Sequence, residues 1–116
     1  MQVTIYHNPR CSKSRQTLAL LQERGVEPRI VEYLKTPPDA DELRDVLAKL
    51  GISAAALLRT GEAEYRELGL DGADVTDGQR IAAMTTHPRL MQRPIVVRGA
   101  EARIGRPPEQ VLEIIA

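Results

Sequence analysis

The first 33 residues carry the pattern that most restricts how this chain can fold: a strand, a tight turn, a helix and a second strand. Gln2 to His7 alternates Val3 and Ile5 against Thr4 and Tyr6, the period of two of a β-strand. Asn8-Pro9 breaks that strand. From about Ser12 to Arg24, Leu18, Leu20 and Leu21 recur at helical spacing, and Gly25 stands where a left-handed residue ends a helix. Arg29 to Tyr33, with Ile30, Val31 and Tyr33, reads as a second strand. A helical connection between two such strands favours a parallel pair with a right-handed crossover.

The remainder separates into a helical stretch and a second strand-bearing segment. Thr36-Pro37-Pro38 stops the second strand, and Asp39 with Glu42 three residues later forms a capping-box-like start for a helix through Leu50, which Gly51 ends. Ile52 to Leu58, Glu62 to Leu68 and Gly78 to His87 read as three shorter helices, with Ser53 and Asp77 as N-caps. Pro88 closes the last of them. Pro94 precedes a short apolar strand, Ile95-Val96-Val97, and after a turn at Arg98-Gly99-Ala100-Glu101 the segment Ala102 to Ile104 pairs back antiparallel. Pro107-Pro108 opens a final amphipathic helix, Glu109 to Ile115, expected to bury Val111, Leu112, Ile114 and Ile115. The order β-α-β, helices, β-β-α resembles the thioredoxin fold: an α/β chain with a mixed sheet and an all-helical insertion between its halves, here one domain over residues 1–116. In that fold a thiol sits at the start of the first helix and a cis-proline opens the third strand beside it. Cys11 and Pro94 occupy those places, so the Arg93-Pro94 bond is expected to be cis.

Composition narrows the function classes. The 116 residues carry 16 Lys and Arg against 16 Asp and Glu, and a chain of this length buries roughly 65% of its unfolded surface, enough for one core. Zero net charge argues against general nucleic-acid binding, which draws its affinity from surplus Lys and Arg. No apolar run approaches the ~20 residues of a membrane span, and the start lacks a basic region followed by an apolar stretch, so a cytoplasmic protein is expected. The charges are nevertheless unevenly spread. Arg10, Lys13 and Arg15 form one basic cluster, while Arg89 to Arg106 carries five arginines and a single acid, Glu101. Glu62 to Asp77 has six acids against Arg66 alone. Two basic segments distant in sequence can converge on one small anion.

Cys11 is the single cysteine, which excludes an intramolecular disulfide and a cysteine-based zinc site within the chain; no metal site is expected. A lone cysteine is most often a small buried hydrophobe. Its context argues otherwise. Cys11 lies at a strand-to-helix turn, where open backbone N-H groups and the helix dipole favour an anion, with His7, Arg10, Lys13 and Arg15 nearby. Such surroundings lower a thiol from about 8.5 to roughly 3.5–7.5. His7 alone would more often be a satisfied strand-end histidine, but its place at the mouth of the turn suits an electrostatic role. Cys11-Ser12-Lys13-Ser14 is a Cys-x-x-Ser pattern in which a hydroxyl, Ser14, stands where a resolving thiol would be. A mixed disulfide at Cys11 then requires a thiol from another molecule. Arg59, Arg93 and Arg106 are singled out by placement: Arg93 precedes Pro94, Arg106 follows Gly105, and Arg59 ends a helix of small residues. A thioredoxin layout brings Arg93 beside Cys11, and arginine supplies planar, bidentate donors for tetrahedral oxyanions.

His7-Asn8-Pro9-x-Cys11-x-x-Ser14-Arg15, with Tyr33-Leu34-x-x-Pro37-Pro38, Gly51-Ile52-x-x-x-x-Leu57-Leu58-Arg59, Tyr65-x-x-Leu68, His87-Pro88, Gln92-Arg93-Pro94-Ile95-Val96-Val97 and Arg106-Pro107, resembles the glutaredoxin-coupled arsenate reductases over nearly the whole chain. Gln92 stands where that pattern has Asn. The resemblance implies a Cys11 thiolate that attacks arsenate to give a covalent thiol-arsenate adduct. Glutathione, a co-substrate and not a bound cofactor, then displaces hydroxyl, and glutaredoxin reduces the resulting mixed disulfide with release of arsenite. It further implies that Arg59, Arg93 and Arg106 hold the oxyanion and that His7 and Ser14 tune Cys11. Residue 17 is Thr, so the Cys-x5-Arg loop of the thioredoxin-coupled arsenate reductases is absent. Two other readings compete. A redox-sensing regulator of similar fold that binds RNA polymerase carries Cys-x-x-Cys, which Ser14 breaks. A monothiol glutaredoxin-like protein needs a Gly-Gly pair for glutathione, and this chain has none.

Overall fold

Four strands, β1 (Val3–His7), β2 (Arg29–Glu32), β3 (Ile95–Arg98) and β4 (Glu101–Ile104), make one mixed sheet in the order β2-β1-β3-β4, and β1 runs into the Cys11 turn. The computed structural model describes residues 2–115. β1 pairs parallel with β2, Ile5 lying opposite Ile30, and antiparallel with β3, Ile5 lying opposite Val96. β3 pairs antiparallel with β4, as the hairpin reading expects. The thioredoxin-like mixed sheet is therefore present, and the helical insertion falls between β2 and β3. The alternation read from β1 does not survive as an inside and an outside. All five of its residues are buried, with Val3 and Ile5 in the core beside Leu21 and Val111, so the strand keeps no solvent-facing side.

Contacts group the chain into two compact units. One joins the residues up to Thr36 with those from Arg93 onward; the other is Pro37–Gln92. In the first unit, helix α1 (Ser12–Glu23) and a 3-10 helix, Pro108–Ile114, pack together and supply a core of Val3, Ile5, Leu21, Val96, Val111 and Ile114. The expected α-helix over Glu109 to Ile115 is thus corrected to the tighter form. Its buried residues are Pro108, Val111 and Ile114, with Leu112 and Ile115 only half-buried, a spacing of three that matches three residues per turn. The buried stripe of α1 is Ser14, Thr17 and Leu21 rather than the leucines alone, since Leu18 and Leu20 are half-buried.

The second unit is helical: α2 (Ala40–Leu50), α3 (Ala54–Leu57), α4 (Ala63–Glu67), α5 (Asp77–Thr86) and a 3-10 turn, Pro88–Leu90. α2, α3 and the 3-10 turn all pack on α5. Asp39 and Ser53 cap α2 and α3 as expected, accepting the Glu42 and Ala56 N-H groups at 2.8 and 3.2 Å. The cap expected at Asp77 is displaced by one residue. Thr76 caps α5 in a reciprocal capping box with Gln79, each side chain accepting the other's backbone N-H, while Asp77 enters the first turn. No helix among the described residues is long and apolar enough to cross a membrane.

The ends of β3 and β4 meet α1 at one point. Gly105 donates its N-H to the Pro94 carbonyl at 2.9 Å, and a Cβ built on Gly105 would stand 2.5 Å from Thr17 Oγ1 and 2.9 Å from Pro94 Cγ. Both neighbours are held: Thr17 is fully buried and donates its hydroxyl to the Lys13 carbonyl, and Pro94 is buried. The Arg93-Pro94 bond is cis, as expected. Arg106-Pro107 is also cis, a bond with no counterpart among the sequence expectations. Gly105→Ala is expected to lower the unfolding free energy by about 1–3 kcal/mol through overpacking. Urea denaturation reads this as a lower midpoint with an unchanged slope; an unmoved midpoint would mean that the close approach carries no stability.

Candidate active site

Cys11 is the N-cap residue of α1, in extended backbone conformation, with no acidic residue in the helix's first turn. The turn before it is built locally. The Cys11 N-H donates to the Asn8 carbonyl at 3.0 Å, and the Arg10 N-H donates to Asn8 Oδ1 at 3.0 Å, an Asx-type closure that the Asn8-Pro9 break encodes. The Arg15 guanidinium donates to the Pro9 carbonyl at 3.0 Å and fastens the turn to the helix from outside.

Opposing forces act on the sulfur. Burial pushes the Cys11 thiol up. The backbone N-H of Ser14, the positive charge of Arg93, the backbone N-H of Lys13 and the charge of Arg106 together outweigh burial and leave the thiol below its ordinary range. This is the helix-terminus and cation setting that favours a thiolate. Arg106 donates from Nη2 toward Sγ at 3.8 Å, and its Nε donates to the Arg93 carbonyl at 2.8 Å, so one arginine's backbone aims the other's side chain. Arg93 Nε and Nη1 are buried and have no hydrogen-bond partner among the described residues.

His7 and Ser14 form a second layer behind the thiol. Ser14 is fully buried, accepts the Asn8 N-H at 3.0 Å and lies 2.6 Å from His7 Nδ1. Burial lowers the His7 pKa; Glu32 draws it up, Arg15 draws it down, and the net shift is downward. Burial thus favours the neutral imidazole, and the connection of His7 to Cys11 runs through Ser14. Glu32 and Asn8 are not among the site residues expected from the sequence. The Asx signal at Asn8 was available there, whereas the approach of Glu32 to His7 depends on β1 and β2 lying in register, with His7 opposite Glu32.

Of the side chains expected in the site, the first unit brings together Cys11, His7, Ser14, Arg93 and Arg106. Arg59 lies in the second unit, where its Nη1 donates to Glu62 Oε1 and to the Arg89 carbonyl, and Glu62 Oε2 also meets Arg89 at 3.2 Å. Among the described residues no group of three His, Cys, Asp or Glu side chains is arranged to hold a metal ion.

Residues 6–114 match the family model described as the ArsC family. The chain belongs to that family. Its sequence is 59% identical to "Uncharacterized protein YfgD" of Escherichia coli (strain K12), over 98% of this chain and 97% of that protein. It is 50% identical to the arsenate reductase of the same strain, over 97% of this chain and 80% of that protein. The solved structure of the arsenate reductase from Vibrio cholerae superposes with a TM-score of 0.96 at 50% identity, covering 98% of both chains. Alkylation of Cys11 by iodoacetamide is expected to follow a pH curve centred below the free-thiol value of about 8.5. Arg93→Ala removes a charge that favours the thiolate and should move the curve up. His7→Ala should move it the same way, by releasing Ser14. A curve at the free-thiol value in the unaltered protein would exclude an activated sulfur.

Proposed function

We propose that this protein reduces arsenate to arsenite in the cytoplasm, using Cys11 as nucleophile, glutathione and glutaredoxin as external reductants and no resident cofactor. The observation that carries this reading is the thiol held below its ordinary pKa beside Arg93, whose buried Nε and Nη1 have no partner among the described residues. Such donors suit a tetrahedral oxyanion next to the sulfur. The names of the relatives that are arsenate reductases support the substrate.

In this mechanism the Cys11 thiolate attacks arsenic, an S-As bond forms, and one arsenate oxygen leaves as water. Arg93 and Arg106 offset the charge on the remaining oxygens. The glutathione thiol then displaces a hydroxyl, which also leaves as water. A glutaredoxin thiolate takes the glutathionyl sulfur as a mixed disulfide, and the As-S bonding pair stays on arsenic. That pair is the two-electron change from As(V) to As(III). Hydrolysis of the last S-As bond releases arsenite and returns Cys11. Ser14 cannot act as a resolving thiol, so the electrons come from outside the chain. Arg59 is assigned to the oxyanion by the family resemblance alone, and Arg59→Ala tests it.

A coupled assay with arsenate, glutathione, glutaredoxin and NADPH oxidation decides the reading. Turnover is expected only when both glutathione and glutaredoxin are present, and Cys11→Ser should abolish it. Arg93→Ala and Arg106→Ala should each lower turnover at least about tenfold, the ~1.4 kcal/mol of one lost charge-assisted contact. Arg103, which pairs with Glu113 at 2.7 Å, serves as the control through Arg103→Ala. Equal losses in all three variants would reject a convergent arginine site.

A further inference from the structure

Within the first unit, beside the Cys11 turn, a groove of about 230 Å³ runs between the His7–Arg10 segment on one side and Glu32, Leu34 and Lys35 on the other. Pro9 and Leu34 give it apolar surface, and Leu34 is 39% exposed, unusual for a large aliphatic side chain in this protein. Its charges are distinctive. Lys35 Nζ lies 3.5 Å from Glu32 Oε1, with the two side chains 78% and 41% exposed, an ion pair of the weak, solvent-exposed kind that exchanges partners readily. Arg10 is exposed and its guanidinium has no ion-pair partner among the described residues; only its backbone N-H is engaged, by Asn8.

The groove thus presents two cations, one carboxylate and an aliphatic patch, on a segment that leads directly into Cys11. The complementary ligand end carries a carboxylate and an ammonium on one carbon, followed by a short methylene chain. None of the lining residues is Arg93 or Arg106, so a molecule held here does not compete with an oxyanion for those arginines. At about 230 Å³ the groove falls below the ~300–1,000 Å³ of sites that enclose a whole drug-sized ligand, and it is suited to one end of a small peptide.

We propose that this groove is the subsite for the zwitterionic γ-glutamyl end of glutathione. Arg10 and Lys35 take its carboxylate, Glu32 takes its ammonium, and Pro9 and Leu34 cover its methylenes. The assignment rests on the glutathione dependence proposed above, and it names the residues that make this dependence selective.

The test uses S-methylglutathione, which cannot react, titrated into the full chain and followed by amide resonances. Saturable shifts are expected at Asn8, Arg10, Leu34 and Lys35. Lys35→Glu, at a side chain too exposed to matter for folding, should weaken binding at least about fivefold, and S-methylcysteinylglycine, which lacks the γ-glutamyl end, should be weakened similarly. In turnover the same variant should raise KM for glutathione and change kcat at saturating glutathione less than about twofold. Shifts centred on Arg93 and Arg106, or an affinity that Lys35→Glu leaves unmoved, would overturn the subsite. Groove binding by a protein that does not reduce arsenate would support the subsite and overturn the proposed function; arsenate reduction with shifts centred elsewhere would do the reverse.

Discussion

The contact of Gly105 with Thr17 and Pro94 is the constraint on which the candidate site depends. It joins the end of β4, the start of β3 and the first turns of α1 at a spot where a single added carbon would stand 2.5 Å from a buried hydroxyl. Arg93 precedes Pro94 in sequence, and Arg106 follows Gly105. Cys11 lies six residues before Thr17 on the same helical segment. Fixing these three backbones against one another therefore fixes where two guanidinium groups and one sulfur meet. The hydrogen bond from Gly105 to the Pro94 carbonyl and the one from Arg106 to the Arg93 carbonyl belong to the same seam. Core packing and site geometry are here one arrangement, since the leucine, valine and isoleucine side chains of the sheet and helix hold the layers that the seam aligns.

Electrostatics at Cys11 are a balance of opposed effects. A buried sulfur resists ionisation, and the protein counters this with backbone dipoles and arginines rather than with a charged histidine. The choice has a structural logic. A cationic His7 would add charge close to Arg15 and would need hydration that its burial denies. As a neutral ring it instead holds Ser14, whose backbone N-H acts on the sulfur. The side chain that replaces a second thiol is thereby part of the support for the first.

The order of elements was legible because β1, α1 and β2 carry clean turn signals, Asn8-Pro9 and Gly25, and because Pro94 and Gly105 bracket the hairpin. The region of the site was legible for the same reason: a cysteine at a strand-to-helix turn and an arginine before a strand-opening proline are local patterns with known geometry. What escaped was non-local or chemically ambiguous. Ser14 and Thr17 count as polar in any periodicity, yet they line the buried face of α1 because their hydroxyls are satisfied by Asn8, His7 and the Lys13 carbonyl. The period of the C-terminal segment was blurred by Leu112 and Ile115, which are apolar but only half-buried. Thr76 and Asp77 are both competent caps, and only the reach of Gln79 back to Thr76 decides between them.

Cys11 is 9% exposed, with its reactivity drawn from groups that enclose it. A sulfur so recessed favours a small co-reactant over a protein surface. In the proposed reaction a tripeptide thiol, once attached to arsenic, carries its own sulfur outward as a handle that a protein thiol can reach.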